Sequence, residues 1–226
     1  RTFGIRHSAF VIPGYAEPML RTFRAVSLAL LVVGVPALAA AQAPSIPRPE
    51  FPNPQFERAD WLNLNGPWRF AFDDGDAGVR ERWYAGERTF DRQIVVPFAF
   101  ESPKSGIGDR TFHPVVWYAR DVEVPAAWKG RRVLLKFGAV DYRATVWLNG
   151  QKLGDHEGGS TPFSFDITDV ARDGANRIVL RAEDPPTDRF IPRGKQYWKE
   201  RSEGIFYTRT TGIWQTVWLE AVGDSY

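Results

Sequence analysis

Residues 140–168 read VDYRATVWLNGQKLGDHEGGSTPFSFDIT, and the alternation at their start decides the fold class. Ala144, Val146 and Leu148 fall on one face of an extended segment, and Arg143, Thr145 and Trp147 fall on the other. That is the two-residue period of a strand. Asn149-Gly150 then supplies two residues that tolerate positive φ, as a type I′ hairpin turn requires. A short return strand is expected, because from Asp155 to Pro162 the chain runs DHEGGSTP with no periodicity and two adjacent glycines. Such a loop at a sheet margin either presents hydrogen-bonding groups to a polar ligand or crosses between sheets.

Outward from the hairpin, short β-rich runs recur between Gly, Pro and Asp punctuation, over residues 68–72, 92–96, 115–124, 132–137, 163–167, 177–182 and 214–222. No segment offers an amphipathic helix longer than two turns. The pattern predicts an all-β protein, a two-sheet antiparallel sandwich of jelly-roll, galactose-binding-like type. Trp68, Phe70 and Phe72 alternate, as do Trp214, Thr216 and Trp218, so most of the nine tryptophans and sixteen phenylalanines are expected between the sheets. Tyr197 and Trp198 differ, since they sit in a polar stretch, 185–202, with no strand pattern. There an aromatic ring either stacks on a sugar face or pins the loop.

The first forty-three residues are unlike the rest. Met19, the only methionine, opens a basic start with Arg21 and Arg24, an apolar core over 25–40 and an Ala-Gln-Ala end at 41–43. These are the parts of a cleaved secretory signal, so residues 19–43 predict a secreted or periplasmic protein with no membrane anchor after cleavage. Residues 1–18 read as an overlong gene start. Residues 44–56 carry five prolines and predict a linker or a strap laid over the domain. The sandwich is expected over 57–222, with 223–226 opening a further segment. Residues 1–43 carry a net charge of +3, so the whole-chain +2 becomes −1 for the remainder. No cationic surface is left to recruit nucleic acid. Zero cysteines exclude a disulfide framework and thiolate metal sites.

Glycoside hydrolysis needs two carboxyl groups about 5 Å apart for retention, or more for inversion, and a Glu-x-Asp-x-x-Glu strand pattern that would supply them is missing. Asp73, Asp74 and Asp76 lack the spacing and closing Glu of a calcium loop, so a solvated turn is expected. Glu200 and Glu203 read as a surface charge cluster, and His113 and His156 are isolated from one another. No catalytic residue, metal site or cofactor is therefore assigned.

Four ordered segments resemble one family: WLNLNGPWRFAF at 61–72, Trp117-Tyr118, the hairpin and loop at 144–168, and GIFYTRTTGIWQTVWLE at 204–220. Together they resemble the N-terminal sugar-binding domain of glycoside hydrolase family 2, which includes β-galactosidases, β-glucuronidases and β-mannosidases. The resemblance implies a jelly roll followed by an immunoglobulin-like domain and a TIM barrel. That barrel would hold both catalytic glutamates, the acid/base within an Asn-Glu pair. No Asn-Glu dipeptide occurs in this chain. The expected partners are thus a β-glycoside and the missing domains, and the chain is expected to be inactive alone. Within the family a loop of this domain reaches the barrel mouth, which makes Asp166 a candidate sugar contact, with His156 and Glu157 beside it. Tyr197 and Trp198 are the other candidates. Gly158 stands near the position where β-galactosidases place an acidic residue for sodium, so the pattern is nearer to glucuronidase-like members. The alternatives are a stand-alone carbohydrate-binding module and a non-catalytic interaction domain.

Overall fold

A computed structural model describes residues 45–86, 88, 90–223 and 225. The signal segment at 19–43 and the stretch 1–18 lie outside the described residues. Twelve strands are described: β1 (Trp61–Asn63), β2 (Gly66–Phe72), β3 (Arg92–Val96), β4 (Val115–Glu123), β5 (Arg132–Phe137), β6 (Val140–Asp141), β7 (Arg143–Leu148), β8 (Gln151–Glu157), β9 (Phe163–Asp166), β10 (Ala175–Glu183), β11 (Gly212–Ile213) and β12 (Val217–Val222). A four-stranded sheet runs β1-β12-β5-β9 and a six-stranded sheet runs β3-β2-β4-β10-β7-β8, while β11 and β6 pair separately. Every named ladder is antiparallel. The fold is an all-β sandwich, as the alternation requires.

The interior is built from the inward face of each strand. Trp68 and Phe70 of β2, Tyr118 of β4, Val146 and Leu148 of β7, and Ile178 and Leu180 of β10 meet Leu135, Phe137 and Leu219 of the smaller sheet. Each large side chain contributes about 2–3 kcal/mol on burial. Asn149 and Gly150 adopt the positive φ that the hairpin turn needs, at 54° and 83°. The return strand, however, is longer than expected, because β8 continues through Asp155, His156 and Glu157. A register shift beside Val146 and Trp147 keeps it paired, and Gly154 lets Phe165 pack over the backbone. A Cβ there would stand 2.6 Å from that ring.

Two features outside the sandwich core differ from the sequence expectation. Trp117 and Trp147 face outward from the larger sheet, where Trp83, Tyr84 and Phe90 cover them in a second apolar cluster. Asp73, expected in a solvated turn, is buried instead. Its carboxylate accepts from the backbone N–H groups of Ala77 and Gly78 and from Trp117 Nε1, at 2.8–2.9 Å. Three donors in an enclosed site hold the charge that solvent was expected to hold. Across the smaller sheet, the Pro47 and Arg48 carbonyls accept from the Asn65 and Asn63 amides, and Phe51 packs edge-on against Trp61.

Candidate functional site

Two loops meet at one end of the sandwich. The first, 158–162, leaves β8, and its Gly159 carbonyl accepts from Trp214 Nε1 at 2.7 Å. The second, 185–211, joins β10 to β11 and is internally braced. The Tyr197 N–H donates to the Tyr207 carbonyl at 2.9 Å and the Tyr207 N–H to the Lys195 carbonyl at 3.0 Å, tying its two limbs; the Tyr197 hydroxyl donates to Glu203, and the Arg193 guanidinium donates to the Pro186 and Asp188 carbonyls. Arg209 is buried and donates to the carbonyls of Lys199 and Arg110.

Between the loops lies a pocket of about 240 Å³ lined by Asp141, Gly159, Gln196, Tyr207, Thr210 and Trp214, among others. Asp141 ends β6, which pairs with β11, so the sheet positions its carboxylate rather than a mobile loop. Gln196 Nε2 donates to Asp141 Oδ2 at 2.7 Å, and Gln196 Oε1 accepts from the Thr210 backbone at 2.7 Å. Gly159 abuts Asp141 so closely that any side chain there would overlap the carboxylate. Burial raises the Asp141 pKa, against the Gln196 hydrogen bond and the nearby Arg193, which lower it. A carboxylate, an amide, a hydroxyl and an indole around one small cavity are the groups that recognise sugar hydroxyls and a sugar face.

Beneath the pocket two more carboxyl groups hold the base of the second loop. Thr211 donates its backbone N–H to Glu101 Oε2 at 3.3 Å and its hydroxyl to Asp184 Oδ2 at 3.1 Å. Glu101 Oε1 is buried and has no partner among the described residues. Burial pushes the Glu101 pKa up to about 8, although hydrogen bonds from its own backbone and from Thr211, and the Arg209 charge, pull it down. Asp184 is pushed up to about 7 by burial and by the Asp141 charge, with Thr211, Arg193 and Arg209 opposing.

The expected site residues are distributed over both loops and beyond them. Tyr197 is buried against Phe206, while Trp198 is 45% exposed at the edge of that aromatic cluster. His156 stacks on Phe163 and lies 3.0 Å from Thr161 Oγ1, which braces the first loop. Glu157 is exposed and accepts from Tyr142 and Arg143. Asp166 ends β9, at the opposite end of that strand from Phe163, so it is not brought together with His156 and Glu157. Its carboxylate accepts from the Thr168 backbone and hydroxyl and pairs with Arg132 at 3.3 Å. Partial burial would raise the Asp166 pKa, but these partners outweigh it and hold the carboxyl below the usual range. Asp141, Gln196 and Trp214 were missed as lining residues. The one signal for Asp141 was an acid inside an otherwise apolar strand start.

Residues 62–206 match the family signature of glycosyl hydrolases family 2, sugar binding domain, and the chain belongs to that family. It is 33% identical over 159 residues to a β-glucuronidase of Canis lupus familiaris, covering 65% of this chain and 24% of that protein. A β-galactosidase of Thermoanaerobacter pseudethanolicus is 28% identical over 174 residues, covering 74% of this chain and 20% of the relative. Among solved structures, a β-glucuronidase from an uncultured Clostridium species superposes with a TM-score of 0.60 at 27% identity, over 77% of this chain and 31% of that one. The chain thus spans about a quarter of the length of the curated relatives it matches.

Proposed function

We propose that the chain is the sugar-binding and scaffolding domain of a longer, exported glycosidase that cleaves β-glycosides, β-glucuronides being the first substrates to test because β-glucuronidases recur among its relatives. One observation carries this reading. The Asp141 pocket is built for a polar ligand, yet among its lining residues Asp141 supplies the one carboxyl group, where hydrolysis needs two. The Asp141 pocket then forms one wall of the glycone site, and the reacting carboxyl groups come from a companion domain. Trp198 is proposed to form a second wall, with Tyr197 buried behind it in the aromatic cluster of loop 185–211, and His156 and Glu157 bracing the first loop. Phe190 (95% exposed), Ile205 and Tyr207 on the same loop offer that companion domain an apolar face. Export is supported by the basic start, apolar core and Ala-Gln-Ala end at 19–43.

The test is hydrolysis of 4-nitrophenyl β-D-glucuronide and β-D-galactoside by this chain. No turnover is expected, and sustained release of nitrophenol would overturn the assignment of catalysis to another domain.

A further inference from the structure

The smaller sheet carries a second cavity, with a different chemistry from the Asp141 pocket. Asn63, Trp218, Lys136 and Ser164 stand in register as cross-strand neighbours on β1, β12, β5 and β9. Their alternates Leu62, Leu219, Leu135 and Phe165 point into the core, so this row faces outward. Pro52 and Asn53 rise on one side of it, and Ser160 and Pro162 on the other. The result is a groove of about 580 Å³, within the range of small-molecule sites, in which Trp214 and Ser160 line both this cavity and the Asp141 pocket.

Its walls are fixed before any ligand arrives. Arg48 of the strap donates to Gln215 Oε1 at 2.9 Å and leaves the amide nitrogen of Gln215 as a donor. Gly138 admits the close approach of Gln215, since a Cβ at that position would lie 2.7 Å from the Gln215 Cβ. The one basic group lining the groove is committed to a buried carboxylate that it shares with Arg58, whose Nε lies 3.1 Å from Glu220. Lys136 is the one ionised lining residue, and its ammonium donates to the buried Glu220 at 2.8 Å while resting 5.5 Å over the Trp218 ring. Trp218 is 5% exposed, and its indole N–H has no acceptor among the described residues. Hydroxyls of Ser160 and Ser164, the Asn53 and Gln215 amides and the Trp214 indole leave a surface that is polar and aromatic-walled, with uncharged groups facing a ligand.

We propose that this groove is a second carbohydrate site, taking a neutral oligosaccharide of two or more units along the row from Asn53 to Ser164. The preference for a neutral sugar follows from the groups left to meet a ligand, which are the uncharged hydroxyls and amides of Ser160, Ser164, Asn53 and Gln215, because the Lys136 ammonium is held by Glu220. The indole of Trp214 supplies the stacking face, and the serines and amides read hydroxyls. The groove does not depend on the Asp141 pocket binding anything.

The test is calorimetric titration of the full chain with cellotetraose, xylotetraose and mannotetraose, and with tetragalacturonate as the acidic counterpart. At least one neutral tetraose is expected to bind with a Kd of about 1 mM or tighter. Ser164→Trp, which fills the groove from an exposed position, is expected to weaken that binding by about tenfold or more, and Asn53→Ala by about fivefold, with unchanged melting temperatures. Gln196→Ala, in the other pocket, is expected to leave it within about twofold, which separates this site from the reading above. The proposal falls if none of the three neutral sugars binds the folded chain at about 20 mM, or if tetragalacturonate binds better than all of them. It falls equally if both groove variants bind like the parent chain.

Discussion

Replacing Glu101 by Gln should flatten the pH dependence of this protein's stability. Glu101 is 3% exposed, accepts from the Thr211 backbone, and carries a second oxygen with no partner among the described residues. Burial therefore favours the neutral acid in the folded state, with a pKa of about 8 against 4.5 for the unconstrained group. The sign follows from proton linkage. A raised pKa means that the folded chain binds the proton more tightly than the unfolded chain, so the stability it contributes is complete below 4.5 and is lost as pH rises through about 8. Between about pH 5 and about pH 8 this one proton is worth about 3 kcal/mol, or a fall in Tm of about 10 °C for a domain of this size. The amide cannot ionise and preserves the acceptor for Thr211. Urea unfolding of parent and Glu101→Gln at both pH values is the assay. The parent is expected to lose about 3 kcal/mol more than the variant over that interval, and the variant to be the more stable at about pH 8. Parallel pH slopes would refute the reasoning, because they would mean that Glu101 ionises in the folded chain as it does in the unfolded one. Asp184, raised to about 7, should add a smaller loss over a lower window, from about 4 upward, in Glu101→Gln itself.

Asp73→Ala should cost about 3–5 kcal/mol in unfolding free energy, since it leaves two backbone N–H groups and the Trp117 indole N–H without their acceptor. Gly154→Val should cost about 1–3 kcal/mol by forcing Phe165 off the strand, read by urea melts, while Gly154→Ala is expected to be milder. Gln196→Ala unties Asp141 from Thr210, and limited proteolysis should then cut loop 185–211 faster, with loss of melting temperature small because the core is untouched. Asp166→Ala removes the turn bonds to Thr168 and the exposed Arg132 pair, and a loss of about 1 kcal/mol is expected.

The fold was legible because its signals are local. The alternation in 143–148 and the Asn149-Gly150 turn report on single strands and single turns, and the jelly roll follows when eight such runs need a common core. Strands β1, β6 and β11 were not legible, since two or three residues carry no period, and β11 and β6 exist only because each finds the other across the molecule. The extension of β8 through Gly154 was hidden for a related reason. The glycine that reads as a loop residue is the gap into which Phe165 fits, a contact made from eleven residues away by a strand of the other sheet.

The sites divide along the same line. Sequence alone determined the fold class, the family resemblance and the two loops that deserve scrutiny, because turn chemistry and residue periodicity act over a few neighbours. Only the tertiary structure decided that Asp73 is a buried anchor, that Asp166 is occupied by Thr168 and Arg132, and that Asp141 meets Gln196 from 55 residues away. A carboxylate looks the same in sequence whether it faces water, caps a turn or lines a pocket. Its role is set by desolvation and by the donors that long-range packing brings to it.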